Sequence, residues 1–319
     1  MSQPASDTGS PNATSADELL AGRTREILRR LELDVTQRLD GLLHGDHRGL
    51  VPGHGTELGE TRRYAPGDDV RRIDWNVTAR LSDPYIRQTV AERELETWLV
   101  VDRSPRLDFG SARHEKRQLV LAAAAATGFL TNRDGNRIGA MLAGRGEPKI
   151  LPAKGTRKHL LHILHEIAST PRGDGAGVTD LGAALSQLGS VAKRRGLVVV
   201  VSDFRVAEGW ETPLRILTNK HDVLAVEVID PLELALPNVG PLPISDPATG
   251  EIREIPTQKQ KVRDAYAAAA EARRQDLMHT FRSNRVDHLT LRTDTEWLDD
   301  LVRFVGARRH RIAALAGGR

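Results

Sequence analysis

The run Leu197-Val198-Val199-Val200-Val201 constrains the fold more than any other part of the chain. Five apolar residues in a row, four of them β-branched, leave no polar face for water. The run is also far shorter than the roughly 20 residues that span a bilayer. A strand buried on both faces of a sheet is what such a sequence forms. It closes on Ser202-Asp203, so its carboxyl end is polar. Trp98-Leu99-Val100-Val101 repeats the pattern and closes on Asp102, with Ser104 just behind.

Around these two runs the pattern alternates between strand and helix. Residues 85–102 read as extended and 114–132 as an Ala-rich helix. Residues 137–143 and 149–151 read as strands joined by a turn. Helices follow over 156–170 and 179–193, the second opening at Thr179-Asp180. After the run at 197–203 come a helix over 210–219 and a strand over 222–229. A Pro- and Gly-rich hairpin insertion is expected over 231–257, then a helix over 259–283, a strand over 288–291 and a helix over 295–306. This order predicts a doubly wound, mainly parallel α/β sheet with helices on both faces.

The ends of the chain read differently. Residues 1–16 are low-complexity and read as a disordered tail. Apolar positions from Leu20 to Leu43 recur at helical spacing, which places a long amphipathic helix in a small helical and extended module over 17–94. The sheet domain then covers 95–307. Residues 308–319, with Arg308-Arg309-His310-Arg311, read as a solvated basic tail. The N-terminus has no apolar leader, and the longest apolar stretch, Leu119 to Leu130, is too short for a membrane span. A cytoplasmic protein without membrane insertion is the expectation.

Composition removes further classes. With no cysteine, disulfides, thiolate metal sites and thiol catalysis are excluded. Lys and Arg exceed Asp and Glu by only three, the charges are interspersed, and aromatic residues make up 4%. That is a poor match to the clustered basic and stacking surface of a nucleic-acid binder. Gly173-Asp174-Gly175-Ala176-Gly177 has no Walker lysine, and no Gly-x-Ser-x-Gly elbow occurs. His159, His162 and His165 with Glu166 match no zincin order.

In an open α/β sheet, ligands bind beyond the carboxyl ends of the strands where strand order reverses. Asp102, Ser104, Thr179 and Asp203 could therefore converge there. Their hard oxygen ligands suit Mg²⁺; each Asp could equally do no more than cap the turn that follows it.

Asp102-Arg103-Ser104-Pro105-Arg106 with the distant Thr179 and Asp203 resembles the metal-ion-dependent adhesion site of von Willebrand factor A domains. The stretch Tyr64-Ala65-Pro66-Gly67-Asp68-Asp69-Val70-Arg71-Arg72-Ile73-Asp74-Trp75 resembles the signature of the bacterial family catalogued as domain of unknown function 58, over about residues 20–305. The resemblance implies a von Willebrand A-like domain behind a family-specific module. It also implies a non-catalytic adaptor acting on an unknown client, with a MoxR-type AAA+ ATPase as partner and Mg²⁺ as the bound ion.

One residue departs from the motif. Position 106 is Arg where the adhesion site has its second Ser, so the site reads as degenerate. Arg106 either folds in and replaces the metal with an internal salt bridge, which is the expectation, or points to solvent and leaves a weakened metal site. If it has taken the metal's place, it can still offer its charge to an acidic partner. Arg63, Asp68, Asp69, Arg71, Asp74 and Arg80 either lock the N-terminal module in place through ion pairs, with Trp75 buried as anchor, or the stretch, with Arg63, Tyr64, Asp68, Asp69, Arg71, Asp74 and Trp75, forms a contact surface for the ATPase. The rival functions are a Mg²⁺-dependent phosphoester hydrolase using Asp102 and Asp203, and a nucleic-acid binder.

Overall fold

The computed structural model describes residues 26–35, 37, 61–65, 70, 73–80, 83–87, 95–132, 136–144, 146–172, 179–206, 208–245 and 251–316. Its centre is a six-stranded sheet of β3 (Glu96–Asp102), β4 (Arg137–Ala143), β5 (Lys149–Lys154), β6 (Gly196–Ser202), β7 (Asp222–Ile229) and β10 (Asp287–Arg292). The spatial order is β10-β7-β6-β3-β4-β5. All neighbours are parallel except β4 and β5. Counted within the sheet, this is the doubly wound order whose direction reverses between the first strand, β3, and the fourth, β6.

Period-2 alternation sorts each central strand onto two cores. Leu99, Val101, Val199 and Val201 face one cluster; Trp98, Val100, Val198 and Val200 face the other. On the first face lie α1 (residues 26–35), α3 (Lys116–Thr131), α4 (Arg157–Ala168) and α8 (Trp297–Ala316). On the second lie α5 (Leu181–Val191), α6 (Glu211–Thr218) and the end of α7 (Gln260–Ser283), through Phe281. Each fully buried Leu, Val or Ile stabilises the fold by about 1.5–3 kcal/mol. The antiparallel edge strand β5 carries Pro152 and exposed lysines, which discourage pairing with another chain.

Three parts of the chain differ from the sequence reading. Leu28, Leu31 and Val35 of α1 pack into the first core, and Glu32 pairs with Arg157 at 2.6 Å. The described part of that helix therefore belongs to the sheet domain's own core. Helix α8 runs on to Ala316 through the cluster read as a basic tail. Arg308 is buried there against Asp287 at 2.7 Å, because the helix lies along β10. The insertion at 231–257 does form a hairpin, β8 (Pro241–Ser245) with β9 (Ile252–Pro256). The sites read over 1–16, 173–177 and at Asp68, Asp69 and Arg71 lie outside the described residues.

The third difference concerns Trp75. It is 70% exposed, not a buried anchor. Asp74 caps the short helix α2 (Trp75–Thr78), accepting from the Val77 N–H at 3.3 Å. Val77 takes the half-buried position, and a residue two places earlier on a helical turn faces the opposite side. The turn is tied to β2 (Tyr85–Arg87), whose Tyr85 N–H donates to the Thr78 hydroxyl at 3.0 Å, and β2 pairs antiparallel with β1 (Thr61–Arg63). Arg63 pairs with Asp83 beside it.

β3 and β6 meet most closely at Gly196, where an added Cβ would overlap the Glu96 carbonyl oxygen. Gly196→Ala should therefore cost about 1–3 kcal/mol through backbone displacement. Denaturant unfolding checks this, with the midpoint falling at unchanged m-value.

Candidate functional site

The carboxyl ends of β3 and β6 bring Asp102 and Asp203 side by side at the switch point. Both are almost fully buried. Asp102 Oδ1 accepts from the Ser104 N–H at 2.8 Å, and Oδ2 accepts from the Ser202 hydroxyl at 2.7 Å. Burial, reinforced by the neighbouring Asp203 carboxylate, raises the Asp102 pKa above the usual carboxylate value. Asp203 moves the other way. Burial opposes its charge, but Lys116, Arg106 and the Arg205 N–H hold its pKa below the ordinary value. Two like acids are thus split by their surroundings.

The cation that dominates Asp203 is Lys116. Its Nζ lies 2.9 Å from Asp203 Oδ2 and 2.8 Å from Glu233 Oε1, and its side chain is 1% exposed. Arg106 sits farther out, Nε to Asp203 Oδ2 at 3.7 Å, with 17% of its side chain exposed. The internal salt bridge expected of Arg106 is therefore made mainly by Lys116. Arg106 lies in the 3₁₀ turn Pro105–Asp108, and its Nε and Nη2 find no hydrogen-bond partner.

The surroundings fix this arrangement. Glu233 comes from the 3₁₀ turn Pro231–Glu233, where its Oε2 accepts from the Asp230 N–H at 3.0 Å. Asp230 is itself fully buried. It accepts from the Ser111 N–H at 2.7 Å, the Ser111 hydroxyl at 2.5 Å, the Leu232 N–H at 2.9 Å and the Thr293 hydroxyl at 2.7 Å. Burial opposes its charge, but these donors keep its pKa below the usual range. One buried carboxylate thus ties the loop after β3 to the ends of β7 and β10.

Of the four predicted ligands, Asp102, Ser104 and Asp203 meet at the switch point. Thr179 is buried one residue before Asp180, the cap of α5, and donates no hydrogen bond to either acid among the described residues. Ser104 Oγ is buried without a partner. A cleft of about 150 Å³, walled by Leu107, Val120 and Ile167, opens over Asp102 and Ser104. A second, of about 330 Å³, opens over Asp203, Arg205, Glu233 and Arg273.

A divalent ion does not fit this set of groups. Both oxygens of Asp102 already accept hydrogen bonds, from the Ser104 N–H and the Ser202 hydroxyl. Asp203 Oδ2 faces Lys116 and Arg106, and Oδ1 accepts from the Arg205 N–H at 3.0 Å. An ion here would meet two fixed cations, one of them in direct contact with the Asp203 oxygen it would need. The three histidines of α4 do not gather into a site: His162 faces Glu166 at 3.9 Å, and Glu166 pairs with Lys149 at 2.7 Å. Lys116 was not among the residues singled out from sequence. Its signal is weak, a lysine followed by Arg117 and Gln118 in the polar first turn of an Ala-rich helix.

Removing one partner of a buried ion pair strands the other, so Lys116→Met should destabilise by about 3–5 kcal/mol. Asp203 and Asp230 both have lowered pKa values. Their contribution is complete above the unfolded-state value near 4 and is lost as pH falls through the folded-state values. Unfolding free energy should therefore drop as pH falls below about 4, and Asp203→Asn should flatten that drop. Denaturant titrations at several pH values read both effects.

A family described as "Protein of unknown function DUF58" matches residues 60–276. An uncharacterized protein of Mycobacterium tuberculosis is 49% identical over 290 residues, covering 91% of this chain and 90% of its own. One of Mycobacterium avium is 41% identical over 167 residues, covering 52% of this chain and 97% of its own. Similar solved structures include the conserved hypothetical protein BatB from Bacteroides thetaiotaomicron (TM-score 0.39, 13% identity, 69% of this chain and 99% of that one). The SpRpn10 VWA domain is also similar (TM-score 0.38, 15% identity, 66% and 94%). The chain belongs to the DUF58 family.

Proposed function

We propose that the protein is a non-catalytic interaction module of the cytoplasm, built on a von Willebrand A-like domain with a degenerate adhesion site. Its partner is a MoxR-type AAA+ ATPase, with which it acts on a client protein. The observation that carries this reading is the internal neutralisation of Asp203. Lys116 satisfies the acid at 2.9 Å, and Arg106, 3.7 Å from the same oxygen, reaches the rim with 17% of its side chain exposed. A hydrolase using Asp203 to hold a divalent ion would have to place that ion against Lys116 and Arg106, which already face the same oxygen.

What the rim offers is positive charge. Arg106 keeps 17% of its side chain exposed there, and Arg273 lines the neighbouring cleft, where burial and Arg205 together lower its pKa. An acidic side chain of a partner would complete them, since a guanidinium matches a carboxylate with two parallel hydrogen bonds. The exposed indole of Trp75, with Val70 also exposed, supplies the kind of aromatic anchor that dominates protein interfaces. No described helix is long and apolar enough to cross a membrane.

The test is a binding titration between the full chain and a purified MoxR-type ATPase from the same organism. Arg106→Gln and Trp75→Ala should each weaken binding at least tenfold, the loss typical of an interface hot spot, with melting temperature little changed. Undiminished binding by both variants would overturn the proposal.

A further inference from the structure

Lys116 is among the largest of the fully buried side chains. Burying an ammonium costs several kcal/mol unless its partners are close and well oriented. Helix geometry does not help, because Lys116 is the first residue of α3 and the positive end of a helix dipole disfavours a cation. The two acids must therefore hold it, and both come from far along the chain: Asp203 is 87 residues away and Glu233 is 117.

The backbone is shaped to deliver it. The loop after the 3₁₀ turn folds back tightly on the start of α3. The Lys116 N–H donates to the Phe109 carbonyl at 2.9 Å, and a Cβ on Gly110 would lie 2.6 Å from Glu115 Cα and overlap the His114 carbonyl oxygen. From the other side, the Asp230 capping box pre-positions Glu233. Arg106, at the position of the motif's second Ser, faces the same Asp203 oxygen from farther away.

We propose that Lys116 is the resident cation of the switch-point site. The chain carries, as a side chain, the positive charge that an adhesion-type site takes from a divalent ion, and the site operates without one. Arg106 is the outer cation, farther from Asp203 and 17% exposed, because Lys116 has already matched the inner acids. The claim concerns the site's own charge and stands whichever partner binds.

The experiment titrates Mn²⁺ into the full chain by calorimetry and records melting temperature with and without Mn²⁺. Wild type should show no binding below millimolar Mn²⁺ and no shift in melting temperature. Arg106→Ser, which restores the motif's Ser but keeps Lys116, should behave the same way. Arg106→Ser/Lys116→Ser should gain binding at least tenfold tighter than wild type, with a melting temperature that rises in Mn²⁺ as a ligand of the folded state requires. Micromolar binding by wild type would overturn the proposal. So would a gain of binding in Arg106→Ser alone, since that would make Arg106 the resident cation. These two arms decide the matter even if the double variant fails to fold.

Discussion

The ammonium of Lys116, held between Asp203 and Glu233, is the interaction on which the rest of the site depends. A doubly wound sheet with two polar strand ends side by side at its switch point brings two carboxylates into one dry place. Left unmatched, they would repel each other and resist ionisation. Lys116 lets Asp203 stay charged, while Asp102 is pushed toward its neutral form by burial and by Asp203. The asymmetry makes a stable floor out of an arrangement that is otherwise costly.

The same interaction joins elements that the sheet alone leaves apart. Lys116 begins α3, Asp203 follows β6, and Glu233 belongs to the turn that leads into the β8–β9 hairpin. Beside it, Asp230 fastens the loop after β3 to Thr293 beyond β10. The carboxyl edge of the sheet is therefore one cross-linked polar layer, in which Ser104 Oγ and two Arg106 nitrogens are buried groups left without a hydrogen bond.

Much of the fold was legible because its determinants are local. Runs such as Leu197 to Val201 admit only a strand buried on both faces, and their alternation with Ala-rich helices implies the parallel sheet. Asp102 and Asp203 were legible for the same reason, as acids at the ends of such runs. Lys116 was not, because in sequence it sits within His114-Glu115-Lys116-Arg117, an ordinary charged first turn. Only tertiary pairing with residues far along the chain gives it meaning. Trp75 misled in the opposite way: a large aromatic suggests burial, but the Asp74 cap turns Val77 inward and Trp75 out. The extra turns of α8 were hidden by Gly306 and the basic cluster, whose Arg308 is buried only because Asp287 waits on β10.

The central claim is that Lys116 and Asp203 stabilise each other directly. A double-mutant cycle of Lys116→Met, Asp203→Asn and the double variant, read by denaturant unfolding at pH 7, tests it most plainly. The account predicts a coupling of about 0.5–3 kcal/mol, the range for residues in one ion-pair network, with the double variant more stable than the sum of the single losses allows. Strict additivity of the two substitutions would contradict it.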